Sequence, residues 1–218
     1  MNTLQYEKDS KERMPWEHYL GEFQKADPQE IASRLNIPYE EETKTLHLRF
    51  MGTEYQITHP DFEITHKEDD LGYYPLEESI YAKILTLRFL LKGGEAKGSG
   101  KFRTYREMPW GEVYLRQFDG RCIKRLAFSY GMKLPVFHSI LQHLKATPLN
   151  HGDASYELEI YPDYFVQMIL WEGDEEFPPS SQFLFSDNFP VSFEAEDIAQ
   201  MGDVIIGSFK QFAKIVQQ

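Results

Sequence analysis

The chain has 218 residues, of which 41% are hydrophobic and 15% aromatic, and this is enough to bury a large core, so we expect residues 1–218 to form a single globular domain. The formal net charge of -12 repels phosphate backbones and anionic lipid, which argues against nucleic acid or a membrane as the main partner. The opening MNTLQYEKDSKERMPW is charged where a secretory signal would be apolar, and no apolar run approaches a membrane span of about 18 residues, so we expect a cytoplasmic protein.

Cys122 is the single cysteine, which excludes an intramolecular disulfide and any cysteine-ligated zinc or iron–sulfur cluster built from this chain alone. Arg121 and Lys124 flank it and could depress its thiol pKa, as a nucleophile requires. Free cysteines are most often buried, however, and we expect a small apolar residue on the inner side of a helix.

The first 35 residues have the pattern of helices. An amphipathic segment surrounds Trp16 and Phe23, and a second helix follows in DPQEIASRLN. There Asp27 can cap the helix, Pro28 takes the first helical position and Glu30 lies three residues after the cap, which is a strong start signal.

Alternation of period two replaces the helical pattern near residue 44. It predicts a β-hairpin near 44–57 with its turn at residues 51–53, and a short strand at Phe62 to Ile64. A helix then extends from Pro75 to about Leu91, with its leucines and isoleucines on one stripe. Because helices and antiparallel strands are segregated along the chain, the pattern favours an α+β fold.

The glycines and lysines of GGEAKGSGK suggest a phosphate-binding loop. A P-loop has four residues between its first glycine and the Gly-Lys pair, whereas Gly94 and Gly100 enclose five, and Phe102 follows Lys101 in place of Ser or Thr. The segment is therefore interpreted as a flexible, basic surface loop.

The second half of the chain carries further helices and strands. Residues 112–130 are predicted to be helical, with a weak point at Asp119 and Gly120. Gly131 is suited to end this helix in the left-handed conformation, and another helix begins near Pro135. Strands are predicted near 156–171, joined at Pro162 and Asp163, and near 183–185. The second strand is apolar on both faces and so central in its sheet. A long C-terminal helix from Phe193 to about Val216, capped by Ser192, completes an α+β fold of antiparallel sheet pieces packed with several helices.

FRTYRE is the first candidate site. Arg103, Tyr105, Arg106 and Glu107 are candidate ligand-binding residues, because paired arginines beside an aromatic ring can hold a carboxylate or phosphate. The alternative is that these arginines pair with the chain's own surplus carboxylates.

The acidic segment WEGDEEFPP is the second candidate site. Trp171, Glu172, Asp174 and Phe177 are candidate ligand-binding residues, and carboxylates at the end of a strand can form an acid and base pair or bind hard cations. On this interpretation Asp174 or Glu175 would be catalytic, with Arg106 holding the substrate. The alternative is a turn, because Gly173 with Pro178 is ordinary turn chemistry. No motif for a metal site occurs, so none is assigned.

The combination of FRTYREMPWGEVYLRQF, LAFSYG, WEGDEEFPPSSQFLFSDNF and EDIAQMG resembles the bacterial family known as domain of unknown function 3786. The resemblance extends from about Trp16 to Phe212. Members occur largely in anaerobic bacteria, and some carry an additional cysteine-rich iron–sulfur segment. This chain lacks that segment, so the resemblance implies no cluster here. It implies that a shared function would lie at the FRTYRE and WEGDEEF segments, near one cleft.

Three functions follow as hypotheses. The first is a small-molecule or partner-binding module, because both candidate segments mix aromatic residues with a few charges. The second is a carboxylate-dependent enzyme, with or without a divalent metal. The third is an accessory subunit of an anaerobic redox or methyl-transfer system, which the iron–sulfur relatives suggest. No cofactor can be identified, and the aromatic content is compatible with a homodimer.

Overall fold

The computed structural model describes residues 9–217, and these residues separate into two compact units. Unit 1 holds residues 9–48, 54–68 and 74–95, and unit 2 holds residues 49–53, 69–73 and 96–217. Both contain helices and antiparallel strands, so the α+β prediction is confirmed. A single domain over residues 1–218 stays a prediction.

Unit 1 begins with helical segments. A π-helical turn at Asp9–Arg13 leads into α1 (Met14–Phe23), and α2 (Pro28–Leu35) follows. The predicted cap of α2 is confirmed, because the backbone N–H of Gln29 donates to Asp27 Oδ1 at 2.8 Å.

The first sheet has the antiparallel order β1-β2-β3-β4. Its strands are β1 (Tyr39–Glu40), β2 (Thr45–Phe50), β3 (Thr53–Thr58) and β4 (Ile64–His66). The predicted hairpin is confirmed, and Met51 and Gly52 both have positive φ, as a two-residue type I′ turn requires. The short strand predicted at residues 62–64 begins two residues later. Phe62 has a φ of 56°, which is not a strand conformation, and its buried ring packs against that of Phe23. Its apolar side chain is therefore part of the core and not of a strand.

The prediction of one helix from Pro75 to Leu91 is wrong at Ser79. The chain forms α3 (Pro75–Glu78) and α4 (Ile80–Lys92), with Ser79 extended between them. The hydroxyl of Ser79 accepts a hydrogen bond from the backbone N–H of Ala82 and so caps α4. The apolar stripe continues from α3 into α4, which is why the pattern alone predicts one helix.

Unit 2 contains the second sheet, which is antiparallel with the order β5-β9-β8-β7-β6. Its strands are β5 (Phe102–Thr104), β6 (Thr147–Pro148), β7 (Ala154–Tyr161), β8 (Tyr164–Trp171) and β9 (Ser180–Ser186). The central position of β8 and its hairpin with β7 at Pro162 and Asp163 confirm the predictions. Asp163 has a φ of 67°, the left-handed conformation that Asp tolerates in a turn.

Helices of unit 2 pack against this sheet. They are α5 (Gly111–Phe118), a π-helical segment (Asp119–Lys124), α6 (Arg125–Tyr130), α7 (Leu134–His143), α8 (Phe189–Ser192) and α9 (Ala195–Val216). The weak point predicted at Asp119 and Gly120 is where the π-helical segment begins.

Two helix ends in unit 2 differ from the predictions. Ser192 is not the cap of the long C-terminal helix; it ends α8, and its buried hydroxyl hydrogen bonds with the Tyr164 hydroxyl. A capping box of Glu194 and Asp197 starts α9 instead. Gly131 has a φ of -67° and so is not left-handed. A Cβ at that position would lie 2.4 Å from Pro179 Cβ, so glycine serves close packing there.

Candidate functional site

An open cleft of about 530 Å³ lies in unit 2, where β9 extends past the end of β5. We call it the β9 cleft. Its walls come from β5 and the 3₁₀ turn that follows it (Tyr105–Glu107), from α5 with the π-helical segment, and from β9. The residues that line it are Thr104, Tyr105, Arg106, Glu112, Leu115, Arg116, Phe118, Asp119, Ile123, Gln182 and Phe183.

Two stacked rings form the floor of the β9 cleft. Tyr105 and Phe118 are nearly parallel, with ring centroids 4.1 Å apart, and Phe183 meets the Phe118 ring edge-on at 6.1 Å. The Tyr105 hydroxyl donates to the Ala195 carbonyl at 2.8 Å, and burial raises the pKa of this phenol to about 12. Both rings are buried, so they support the cleft from beneath, and the Tyr105 hydroxyl is already satisfied.

Charged side chains surround this floor. Arg106 Nε lies 3.9 Å from Glu112 Oε1, a loose and exposed ion pair, and Asp119 pairs with Lys124 at 3.0 Å. Arg116 is exposed and forms no ion pair within the described part of the chain. The lining therefore holds two guanidinium groups, of Arg106 and Arg116, and two carboxyl groups, of Glu112 and Asp119, so its formal charges balance.

The FRTYRE segment divides between the β9 cleft and local structure. Tyr105 and Arg106 line the cleft. Arg103 lies opposite Phe185 in the β5–β9 ladder and is exposed outside the cleft lining. Glu107 turns back on Thr104 and accepts its hydroxyl at 2.7 Å and its backbone N–H at 2.8 Å. These bonds hold the pKa of Glu107 below its ordinary value, which is the behaviour of a capping carboxylate.

Asp174 organises a turn in the acidic segment. Its Oδ1 accepts the backbone N–H groups of Phe177 at 2.7 Å and Glu176 at 2.8 Å, and its own N–H donates to the Phe177 carbonyl at 2.9 Å. The hydrogen bond from Phe177, followed by that from Glu176, holds the pKa of Asp174 below its ordinary value. A carboxylate so engaged is a poor general base, and this geometry favours the turn interpretation.

The other candidates of the acidic segment are exposed and do not line the β9 cleft. Trp171, Glu172, Glu175 and Phe177 are all exposed. Trp171 lies opposite Ser180, four residues along β9 from the pairing of Leu184 with Thr104, or about 13 Å further along the strand. Within the part of the chain that the structure describes, none of residues 171–177 lines the β9 cleft. The structure therefore brings Tyr105 and Arg106 together with α5 and not with the acidic segment.

Sequence reasoning did not select several residues of the β9 cleft. Leu115, Arg116 and Ile123 are on its helical wall, and Gln182 is on its strand wall. One signal was available, because Glu112, Leu115 and Arg116 recur at the i, i+3 and i+4 spacing of one helix face. The contribution of β9 had no local signal.

Cys122 packs inside unit 2, as predicted for a small apolar residue on the inner side of a helix. Its side chain is fully buried, and Sγ lies 3.6 Å from the Ala199 carbonyl oxygen. Burial raises the pKa of the thiol to about 12, so the thiolate form that nucleophilic chemistry needs is disfavoured.

The helices and the metal-ligating side chains of the described residues 9–217 also bear on function. None of their helices is both long and apolar enough to cross a membrane. Across the same residues, no group of three or more His, Cys, Asp or Glu side chains is arranged to hold a metal ion.

Comparison with known protein families gives a match over most of the chain. The family model described as "Domain of unknown function (DUF3786)" matches residues 27–208, which include every residue that lines the β9 cleft. No curated protein and no solved structure matches the chain.

Proposed function

The chain belongs to the family described as domain of unknown function 3786, and from this premise we propose that it is a small-molecule-binding protein whose ligand occupies the β9 cleft. The observation that carries the proposal is the cleft itself, in which the half-buried side chains of Leu115 and Ile123 share the lining with Arg106, Arg116 and Glu112. Binding sites commonly combine an apolar wall with a few polar groups that orient the ligand. The volume of about 530 Å³ is in the range of small-molecule sites.

The other two functions have less support. A carboxylate-dependent enzyme built on the acidic segment would need Asp174 as a base, and that carboxylate is engaged by two backbone N–H groups. For an accessory subunit of a redox or methyl-transfer system, no residue of the described chain supplies an argument.

A ligand screen with two matched variants tests the proposal. Leu115→Trp places an indole in the β9 cleft, whereas Val113→Trp places the same group at an exposed position of the same helix, outside the cleft. We expect some compounds of a metabolite and cofactor panel to raise the Tm of the wild type and of Val113→Trp, and to lose this effect on Leu115→Trp. A panel without any stabiliser, or equal stabilisation of Leu115→Trp, would contradict the proposal.

A further inference from the structure

We propose that unit 2 docks a basic segment of another protein on an exposed apolar surface, which we call the α6 patch. Its side chains are those of Phe128, Met132 and Phe177, which are 66%, 61% and 67% exposed. None of the three lines the β9 cleft, so this proposal does not rest on the proposed function. Exposed apolar surface with a polar rim is typical of protein–protein interaction sites.

The helix α6 and the acidic segment contact each other, and this contact joins the patch. Phe128 and Met132 are four residues apart, which places them on one side of α6 and the turn that ends it. The N–H of Gly173 donates to the Gly131 carbonyl at 3.4 Å, and a Cβ at position 173 would lie 3.1 Å from Met132 Sδ. Met132 therefore lies against the start of the acidic segment.

The turn of the acidic segment presents Phe177 close to this contact. Phe177 lies between Gly173 and Pro179 in the chain, and Pro179 also packs against the end of α6, at Gly131. The Phe177 N–H donates to Asp174 Oδ1 at 2.7 Å, so the backbone that carries the ring is held in place. A ring on a fixed backbone loses little conformational freedom when a partner covers it.

Negative charge borders the α6 patch. Its exposed carboxylates are those of Glu172, Asp174, Glu175 and Glu176. None of the four forms an ion pair with another residue that the structure describes. Lys133 is the single cation of residues 126–133 and 171–179. Lysine or arginine side chains of a partner would therefore meet complementary charge around the patch while apolar side chains of the partner cover it.

The same charges argue against a second copy of this chain as the occupant. In a symmetric dimer the patch would meet itself, so the four carboxylates of one copy would face the four of the other. Like charges repel at short range, and the formal net charge of -12 adds to the repulsion. The partner that fits is an amphipathic helix with an apolar face and basic flanks.

Three synthetic peptides test the proposal by isothermal titration calorimetry on the full chain. The first is an amphipathic helix of leucine and lysine, the second has serine in place of leucine, and the third has glutamate in place of lysine. We expect the leucine–lysine peptide to bind about tenfold more tightly than either of the others, because only this peptide matches both the apolar patch and its charge.

Variants of the patch locate the apolar part of the contact. Phe128→Ser and Phe177→Ser should each weaken binding of the leucine–lysine peptide about tenfold, because aromatic residues are frequent hot spots of interfaces. Both rings are exposed, so circular dichroism should show a wild-type fold for each variant. Val113→Ser is the control, since it removes an exposed apolar side chain outside the patch, and it should leave the affinity unchanged.

A pair of double variants locates the charged part of the contact. Glu175→Gln with Glu176→Gln should weaken binding of the leucine–lysine peptide about fivefold, as the loss of two exposed ion pairs would. Glu41→Gln with Glu42→Gln changes two adjacent, exposed glutamates between β1 and β2 and leaves the same net charge. It should bind the peptide as the wild type does.

Four outcomes would overturn the proposal. They are no binding of the leucine–lysine peptide at about 1 mM, equally tight binding of the serine–lysine peptide, unchanged affinity in Phe128→Ser and Phe177→Ser, and an equal effect of the two double variants. A wild-type dimer in sedimentation that Phe177→Ser dissociates would also overturn it, since a second copy would then cover the patch. The ligand screen of the β9 cleft is independent of all these results.

Discussion

Gly202→Ala should destabilise the protein, although alanine is the better helix former. Gly202 lies within α9, and a Cβ there would be 2.5 Å from Cys122 Sγ and 3.6 Å from Phe118 Cε2. Cys122 and Phe118 are both buried and belong to the helical wall behind the β9 cleft. The added methyl group therefore has no room unless α9 and this wall move apart.

Two opposing effects set the magnitude. Alanine in place of glycine gains up to about 1 kcal/mol in a helix interior. Overpacking a closed core costs about 1–3 kcal/mol, and we expect the upper part of that range because Cys122 is fully buried. The net loss in free energy of unfolding should be about 1–2 kcal/mol. Gly207→Ala in the same helix is the matched control, since its nearest atom is Arg125 Nη2 at 3.9 Å, and it should be neutral or stabilising.

Equilibrium unfolding in urea, followed by circular dichroism, measures these values. The double variant Gly202→Ala with Cys122→Ala removes the sulfur that the methyl group would meet. It should therefore recover stability, with a coupling energy of at least about 1 kcal/mol between the two positions. If Gly202→Ala is as stable as the wild type, or if the two substitutions are additive, the packing described between α9 and the π-helical segment is wrong.

Three further predictions concern titration and cooperativity. The pKa of Asp174 should lie below 3.8 by NMR titration, so its contribution to the turn is present above about pH 4 and is lost as the pH falls through the lower, folded-state pKa; a value above 3.8 would refute the turn geometry. Cys122 should resist iodoacetamide in the folded protein at mildly alkaline pH and react after unfolding. Its protonated thiol should stabilise the fold fully below about pH 9 and lose this effect as the pH rises towards 12; rapid labelling of the folded protein would show that it is accessible. If residues 1–218 form one domain, circular dichroism and tryptophan fluorescence should give coincident unfolding transitions, whereas two separated transitions would refute it.

Elements with a clear local period could be predicted from the sequence. The hairpin of β2 and β3 and that of β7 and β8 follow from alternation and turn residues, and the buried stripe of α9 follows from helical spacing. The break at Ser79 could have been recognised, because serine before a helix is a capping signal. The role of Gly131 could not, since its reason is close packing against Pro179, a residue distant in sequence.

Only those residues of the candidate site that have a local sequence signal could be predicted. Tyr105 and Arg106 are conspicuous as an aromatic residue beside an arginine, and the structure places both in the β9 cleft. Arg116 appeared to be an ordinary charge on a helix. Gln182 and Phe183 line the cleft because β5 is shorter than β9 and ends before reaching them. No local sequence pattern predicts where the pairing between two strands ends.

Chemical-shift mapping tests the central claim of ligand binding at the β9 cleft most directly. In a titration of the ¹⁵N-labelled chain with a panel compound that raises the Tm of the wild type, the largest amide shift changes should fall on Leu115, Arg116, Gln182 and Phe183. The same titration of Leu115→Trp should abolish them. Changes concentrated on residues 171–177, or an unperturbed β9 cleft in the presence of a bound ligand, would contradict the account.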